Sequence, residues 1–337
     1  MIKKILIFTS FIIIAVFVSY IQATPMVIDT DSGYDDILAL IYLIKNPNIK
    51  IKAISITNGV TLVDEGYVIV SKLLTIAKKI NTPIIKGNRL IPEPDNYKLY
   101  RFDNPKKVSD SILNINEFRA IPAEENNQAY SLPTIFENLL KNDKKIILVA
   151  LGPLTNIAEL ISKKPYIKEK IKEIWIMGGA FNTKGNMECF REGVRSTTAE
   201  LNFFLDPKSA DKVISSGIPI FLVTLDATKK IPLSKEKIEI LTIDTKKNSS
   251  PLNVINNKIL KLMGSGEGKY LWDVITVVLA TNPRLATYRA ISAGFSDDLN
   301  NCGVIKIQKQ MKGSVLKTVE KINADSIYKT YFNKINR

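Results

Sequence analysis

The sequence predicts an α/β fold: one domain built on a mainly parallel, open, Rossmann-like sheet with helices on both faces. Three observations carry that prediction. Apolar, β-branched runs alternate with longer amphipathic segments along the chain, the pattern of a parallel sheet covered on both sides. Unusual polar and glycine residues gather just after the apolar runs, where an open α/β sheet has its ligand crevice. No internal repeat or low-complexity linker divides the 337 residues, and a hydrophobic fraction of 45% suffices for one sizeable core.

Residues 1–23 stand apart from this alternation. Lys3 and Lys4 precede an apolar run from Ile5 to Val18, closed by Ser19, Tyr20 and Ile21-Gln22-Ala23. A basic start, a short apolar centre and a small final residue make a secretory signal peptide, so export to a periplasmic or extracellular space is expected. The run is short for a membrane span, and an uncleaved N-terminal anchor is the alternative, the one case in which a membrane partner is expected. Cleavage after Ala23 removes nothing the fold needs and leaves 24–337 as the domain.

The strands are expected at Met26 to Asp29, Ile49 to Thr57, Pro83 to Lys86, Lys145 to Ala150, Glu173 to Met177 and Ile218 to Thr224. Helix-period stretches between them run over Asp36 to Lys45, Asp64 to Lys79, Leu132 to Lys141, Thr155 to Lys163 and Ser209 to Ser216. An apolar helix follows at Val274 to Ala280. The polar stretch from Glu93 to Asn127 is long for a connection, which predicts a partly structured excursion near the site or a subunit contact.

Charge and side-chain chemistry narrow the function. The net charge of +14 comes from lysines scattered among asparagine and isoleucine, with no basic run interleaved with aromatics; this is a solvated surface, and no nucleic-acid partner is expected. Histidine is absent, which removes the commonest acid/base residue and transition-metal ligand, so any metal must be held by oxygen. Cys189 and Cys302 are far apart and outside any metal-type spacing. A disulfide is permitted between them, but two separate thiols are the expectation.

Four carboxylates fall within eight residues: Asp29, Asp31, Asp35 and Asp36. On an extended backbone Asp29 and Asp31 share a face, and Gly33 is expected to turn the chain into the next helix. An acidic N-cap turn is the simple reading of Asp35 and Asp36. Asp29 and Asp31, however, end a strand that should be buried, where unpaired carboxylates are costly. So much like charge implies a hard divalent cation, and calcium fits better than zinc in a chain without histidine. An EF-hand is excluded, because glycine falls fifth and Leu40 twelfth from Asp29.

The segment from Asp29 to Leu40, Asp-Thr-Asp-Ser-Gly-Tyr-Asp-Asp-Ile-Leu-Ala-Leu, resembles the N-terminal signature of the inosine-uridine-preferring nucleoside hydrolase family. Further landmarks follow in family order: Gly152-Pro153-Leu154-Thr155-Asn156, Met177-Gly178-Gly179-Ala180, Ala199-Glu200-Leu201-Asn202 with Asp206-Pro207, and Trp272-Asp273. The resemblance implies hydrolysis of ribonucleosides to base and ribose, calcium as cofactor and a homo-oligomeric assembly. It makes Asp31, Asp36, Asp273 and the main-chain carbonyl of Leu151 the calcium ligands, with Asp31 also the base that activates water. Asp35, Asn186, Glu200 and Asn202 would hold the ribose hydroxyls, Met177 would line the pocket and Asp29 would support the cluster from behind. Taken singly, Met177-Gly178-Gly179 is equally a core strand leaving through a turn, Asn202 a turn residue and Asp273 an N-cap.

Cleaving an N-glycosidic bond passes through an oxocarbenium-like state, which calls for activated water, anionic surroundings and firm grips on hydroxyls. Acids and amides at the ends of several strands meet all three needs. Three departures from better-known members bear on the base. Trp272 stands where they have histidine, and Val60 where they have asparagine, with Asn58 a candidate replacement. The segment between Asn186 and Glu200 is longer and places Cys189, Phe190, Arg191 and Arg195 near the mouth. Trp272 is then expected against the nucleobase. Two other functions compete: a nucleoside-binding protein without turnover, and a phosphatase of the haloacid-dehalogenase type with Asp29 as nucleophile.

Overall fold

The computed structural model describes residues 23–87, 105–122, 145–191, 194–266, 269–295, 302–307 and 316–337, with the side chains of 188–196 not described. The leader expected at residues 1–23 and the helix expected at Leu132 to Lys141 lie outside these residues, Ala23 apart. Among the described residues no helix is long and apolar enough to cross a membrane.

In chain order the elements are β1 (Thr24–Thr30), α1 (Tyr34–Ile44), β2 (Ile49–Ile56), α2 (Val63–Ile76), β3 (Ile84–Lys86), α3 (Pro105–Leu113) and α4 (Asn116–Arg119). Then come β4 (Ile146–Ala150), α5 (Thr155–Lys163), β5 (Ile171–Met177), β6 (Met187–Arg191), β7 (Val194–Ala199), α6 (Leu201–Leu205), α7 (Pro207–Ile214) and β8 (Ile220–Val223). The rest comprises α8 (Leu225–Thr228), α9 (Lys235–Leu241), α10 (Pro251–Met263), α11 (Trp272–Thr281), β9 (Ala286–Ile291), β10 (Ala293–Phe295), β11 (Ile305–Ile307), β12 (Leu316–Ile322) and α12 (Ala324–Ile335).

Eight strands form the main sheet in the order β3-β2-β1-β4-β5-β8-β12-β9. All neighbours pair in parallel except β12 and β9. The six expected strands are all present, and the expected helices within the described residues follow them. The strand order departs in opposite directions from β1 and β4, so the sheet's switch point, where a ligand crevice opens, lies between their C-terminal ends.

Alternation along the strands sends side chains to two cores. Met26 and Ile28 of β1, Ile54 and Ile56 of β2 and Trp175 of β5 face one core with α1, α10, α11 and α12. Val27, Ala53, Leu148 and Ile174 face the other, against α5 and α7. Helix α1 is buried from Asp36 to Tyr42 and α11 from Asp273 to Leu279, so each is apolar all round, as a helix inside a core must be. Each fully buried Leu or Ile there contributes about 1.5–3 kcal/mol, which fixes both helices against each other. Their acidic first turns are thereby held side by side.

Strands β9 and β12 have no counterpart in the sequence reading. β9 is a sheet edge with half of its side chains exposed, and its neighbour β12 carries Lys317, Glu320 and Lys321; charged residues near an edge protect it and erase the apolar signal. The long excursion also becomes clearer. Its described part forms α3 and α4, whose Val108, Ile112 and Phe118 are buried in the α1-side core, while Glu117 pairs with Lys258 of α10 at 2.8 Å.

Candidate active site

Asp31 follows the last residue of β1, Asp35 and Asp36 open α1, and Asp273 opens α11. Oxygens of Asp35, Asp36 and Asp273 lie within 4.8 Å of one another. The Asp35 carboxylate also accepts a hydrogen bond from the Asp273 backbone N–H at 3.2 Å. Asp31 lies outside that triple by the same distance criterion; its Oδ2 accepts from the Val60 N–H at 2.9 Å and its backbone carbonyl from the Thr61 hydroxyl at 2.7 Å. A Cβ on Gly59 would sit 2.0 Å from the same Asp31 oxygen, so only glycine admits this approach.

The turn is made differently from the expectation. Gly33 is not in the left-handed region, having φ −69°; Ser32 is, at φ 60°. Glycine at 33 serves space instead, since a Cβ there would meet the Val60 side chain at 3.0 Å and Asp36 Oδ2 at 3.1 Å. The left-handed serine costs of order 1–3 kcal/mol. Asp36 acts partly as a helix cap, accepting from the Gly33 N–H at 3.0 Å and from the Thr30 hydroxyl, so the simple capping reading holds alongside the cluster.

Electrostatics set the cluster apart from ordinary surface carboxylates. Burial first, then repulsion from Asp36, pushes the Asp35 carboxyl up to about 7. Asp31 is pushed well above the carboxylate range by burial and Asp36, and Asp273 by burial and Asp35. Asp273 Oδ1 is buried with no hydrogen-bond partner. Calcium takes oxygen ligands at about 2.3–2.6 Å, so oxygens around one ion lie up to roughly 5 Å apart. The spacing, the all-oxygen donors and the orphaned Asp273 oxygen all fit a divalent cation.

Behind this centre, Asp29 is buried; Ser55 Oγ and Asn156 Nδ2, the latter at 2.8 Å, donate to its Oδ1, and burial pushes its carboxyl up to about 7. Across the switch point, Asn202 Nδ2 donates to the carbonyls of Leu151 at 2.9 Å and Met177 at 3.1 Å, joining the ends of β4 and β5. Glu200 caps α6, accepting from Asn202 N at 3.0 Å and Phe203 N at 3.2 Å, and it also accepts from Gly179 N at 3.0 Å. Asn186 Oδ1 accepts from Leu201 N at 2.9 Å.

The sequence model of the family "inosine-uridine preferring nucleoside hydrolase" matches residues 26–329. The chain belongs to that family. A pyrimidine-specific ribonucleoside hydrolase (RihA) of Salmonella arizonae is 30% identical over 224 residues, 65% of each chain, so the match spans just under two thirds of that relative. An inosine-uridine preferring nucleoside hydrolase from Bacillus anthracis superposes with TM-score 0.76 at 21% identity, over 93% of this chain and 99% of that one. A purine-preferring ribonucleoside hydrolase from Gardnerella vaginalis gives 0.72 at 21% identity, over 93% and 98%. At that identity the two structures establish a common fold.

Within this family member, the departures noted in the sequence take definite forms. Asn58 does not stand free as a replacement amide: its Oδ1 accepts from Val63 N at 2.9 Å at the start of α2. Val60 is half-buried against the cores and gives its backbone N–H, not a side chain, to Asp31. Trp272 is half-buried and stacks on Tyr270 at 5.5 Å between ring centroids and 20° between planes; its indole N–H is buried without an acceptor. The longer segment after Asn186 is the β6–β7 hairpin.

The expectation of separate thiols is corrected. Cys302 is disulfide-bonded, no free cysteine is found among the described residues, and the sequence holds one other cysteine, Cys189, on β6. The physical reason is tertiary: Cys302 and Val304 are buried in one cluster with Met187 and Ala199 of the hairpin, a contact that sequence separation hides. The sequence reading also missed Thr30, Ser55 and the role of Asn156, all of which bind cluster carboxylates. A polar residue inside an apolar strand, as Ser55 is, was the available signal.

Proposed function

We propose that the chain hydrolyses the N-glycosidic bond of ribonucleosides, releasing free base and ribose, at a calcium site on the rim of the sheet. The convergence of Asp31, Asp35, Asp36 and Asp273 from two buried elements and one strand end carries this reading. Asp31, Asp36, Asp273 and the Leu151 carbonyl are assigned as ligands, and Asp35, with an oxygen within 4.8 Å of those of Asp36 and Asp273, would stand beside the same ion. When bound, calcium supplies neutralisation of the cluster and acidifies a water in its shell.

The chain's own groups do the rest. Asp31, held by the Val60 N–H, takes the proton from the attacking water. Asp35 accepts ribose hydroxyls, and Asn186, Glu200 and Asn202 shape the other side of the sugar site next to Met177. Clustered carboxylates favour the positive charge that grows on the ribose. The buried position of Asp29, with two donors on one oxygen, disfavours it as a phosphatase nucleophile. Incubation with inosine, uridine, adenosine and p-nitrophenyl phosphate tests the reading: free ribose is expected, binding without turnover would leave a nucleoside-binding protein, and phosphate release would sink the assignment.

Base departure is assigned to Trp272, because no histidine exists to protonate the leaving base and the indole stands beside Asp273, backed by Tyr270. Trp272→Ala should lower turnover on natural nucleosides far more than on p-nitrophenyl riboside, whose leaving group needs no help. Equal losses on both would mean that Trp272 only seats α11. Export is also proposed, from the basic and apolar start of the chain and from the disulfide at Cys302, which suits an oxidising compartment. N-terminal sequencing of the protein recovered from an expressing cell's exterior checks it; intact Met1 in the cytoplasm argues against it.

A further inference from the structure

We propose that Asn156 is a positioning residue for the cation centre and acts through Asp29. The proposal rests on the calcium reading above. Asn156 lies in the first turn of α5, buried on the sheet face opposite α1. Its Nδ2 donates to Asp29 Oδ1 at 2.8 Å and to the Ile56 carbonyl at 3.1 Å, tying β1 to the C-terminal end of β2. The Gly87 N–H donates to that same carbonyl at 2.9 Å, and a Cβ on Gly87 would meet Asn156 Oδ1 at 2.2 Å. The amide is thus clamped from the far side and has one orientation.

Asp29 connects directly to two of the assigned ligands. It stands in β1 two residues before Asp31, which directly follows the strand, and its carbonyl accepts from Leu151 N at 2.8 Å. Both side-chain donors, Ser55 and Asn156, load its Oδ1, while Oδ2 is buried with no partner. Without Asn156, a buried carboxylate loses a donor on one oxygen while the other already has none, a state costly enough to move the strand end. The displacement would pass to Asp31 and Leu151 together. Partners that hold a metal site from behind typically affect metal affinity by about 10–100-fold.

The competing explanation is that Asn156 only packs the start of α5 and the β2–β3 edge. The two differ in whether the effect needs the Asp29 carboxylate. Calcium titrations of the full chain, followed by thermal unfolding, on wild type, Asn156→Ala, Asp29→Asn and the double variant separate them. The calcium concentration giving half the stabilisation should rise about tenfold in Asn156→Ala, and by no further factor when that change is added to Asp29→Asn. An unchanged midpoint, or the same factor in both backgrounds, overturns the proposal. If Asn156→Ala does not fold alone but folds with Asp29→Asn, the coupling is supported; failure in both backgrounds assigns packing and overturns it. A wild type not stabilised by calcium would remove the cation reading and this inference with it, whereas a stabilised wild type matched by Asn156→Ala removes this inference only.

Discussion

Asp31→Asn is expected to lower turnover of a ribonucleoside by about 10³-fold or more, since it deletes the proposed base and weakens a cation ligand together. The fold should survive it. Asparagine is isosteric, its oxygen still accepts from the Val60 N–H, and Gly59 leaves no room for a shift. The variant also removes one member of a mutually repelling set, because burial and Asp36 push Asp31 well above the carboxylate range. Without calcium, Asp31→Asn should therefore unfold at the same temperature as wild type or higher, even as activity disappears. Ribose release and unfolding temperature measured on one preparation check both halves. Activity within tenfold of wild type would place the proton acceptor elsewhere in the cluster.

Removal of calcium should act on stability and activity together. A ligand held at 100–1,000 times its Kd stabilises by about 2.7–4.1 kcal/mol, which for a chain of this size is a shift of about 4–6 °C. Chelation should remove that shift and abolish ribose release, and added calcium should restore both. Zinc in the isolated protein, or no effect of chelator, would reject the centre. The metal-free protein should also show a characteristic pH dependence. Asp29 and Asp35 are raised from 3.8 to about 7 in the folded state, in each case first by burial. A raised carboxylate pKa means that the folded chain binds protons more tightly than the unfolded one. This contribution is fully present below about pH 4 and is lost as pH rises through about 7. Metal-free protein should thus be less stable at pH 8 than at pH 5 from these groups, and calcium should stabilise most at the higher pH. A calcium effect independent of pH would show that the cation does not bind among these carboxylates.

The sequence by itself determined the parallel sheet, because β4, β8 and the C-terminal halves of β1, β2 and β5 are buried on both faces and read as mainly apolar, β-branched runs. It also singled out Asp29, Asp31, Asp35 and Asp36 at and just after the end of β1, because so much like charge beside a buried strand is costly without a cation, and the fold brings Asp35 and Asp36 against Asp273. Asp273 could be paired with them only through a family resemblance, since the contact depends on how α1 and α11 pack, and packing of two all-apolar helices leaves no trace in the spacing of either. The positive φ fell on Ser32 rather than Gly33 for a related reason: the need for glycine came from Val60 and Asp36 pressing on its α-carbon, neighbours that only the fold supplies. Edge strand β9 and its neighbour β12 were hidden by exposed and charged positions, and Asn58, a candidate for the substrate site, instead accepts from the Val63 N–H where α2 begins. The tertiary structure alone decided the disulfide at Cys302 and the bond from Asn156 to Asp29, because both join parts of the chain more than 100 residues apart, and no local preference encodes which distant surfaces meet.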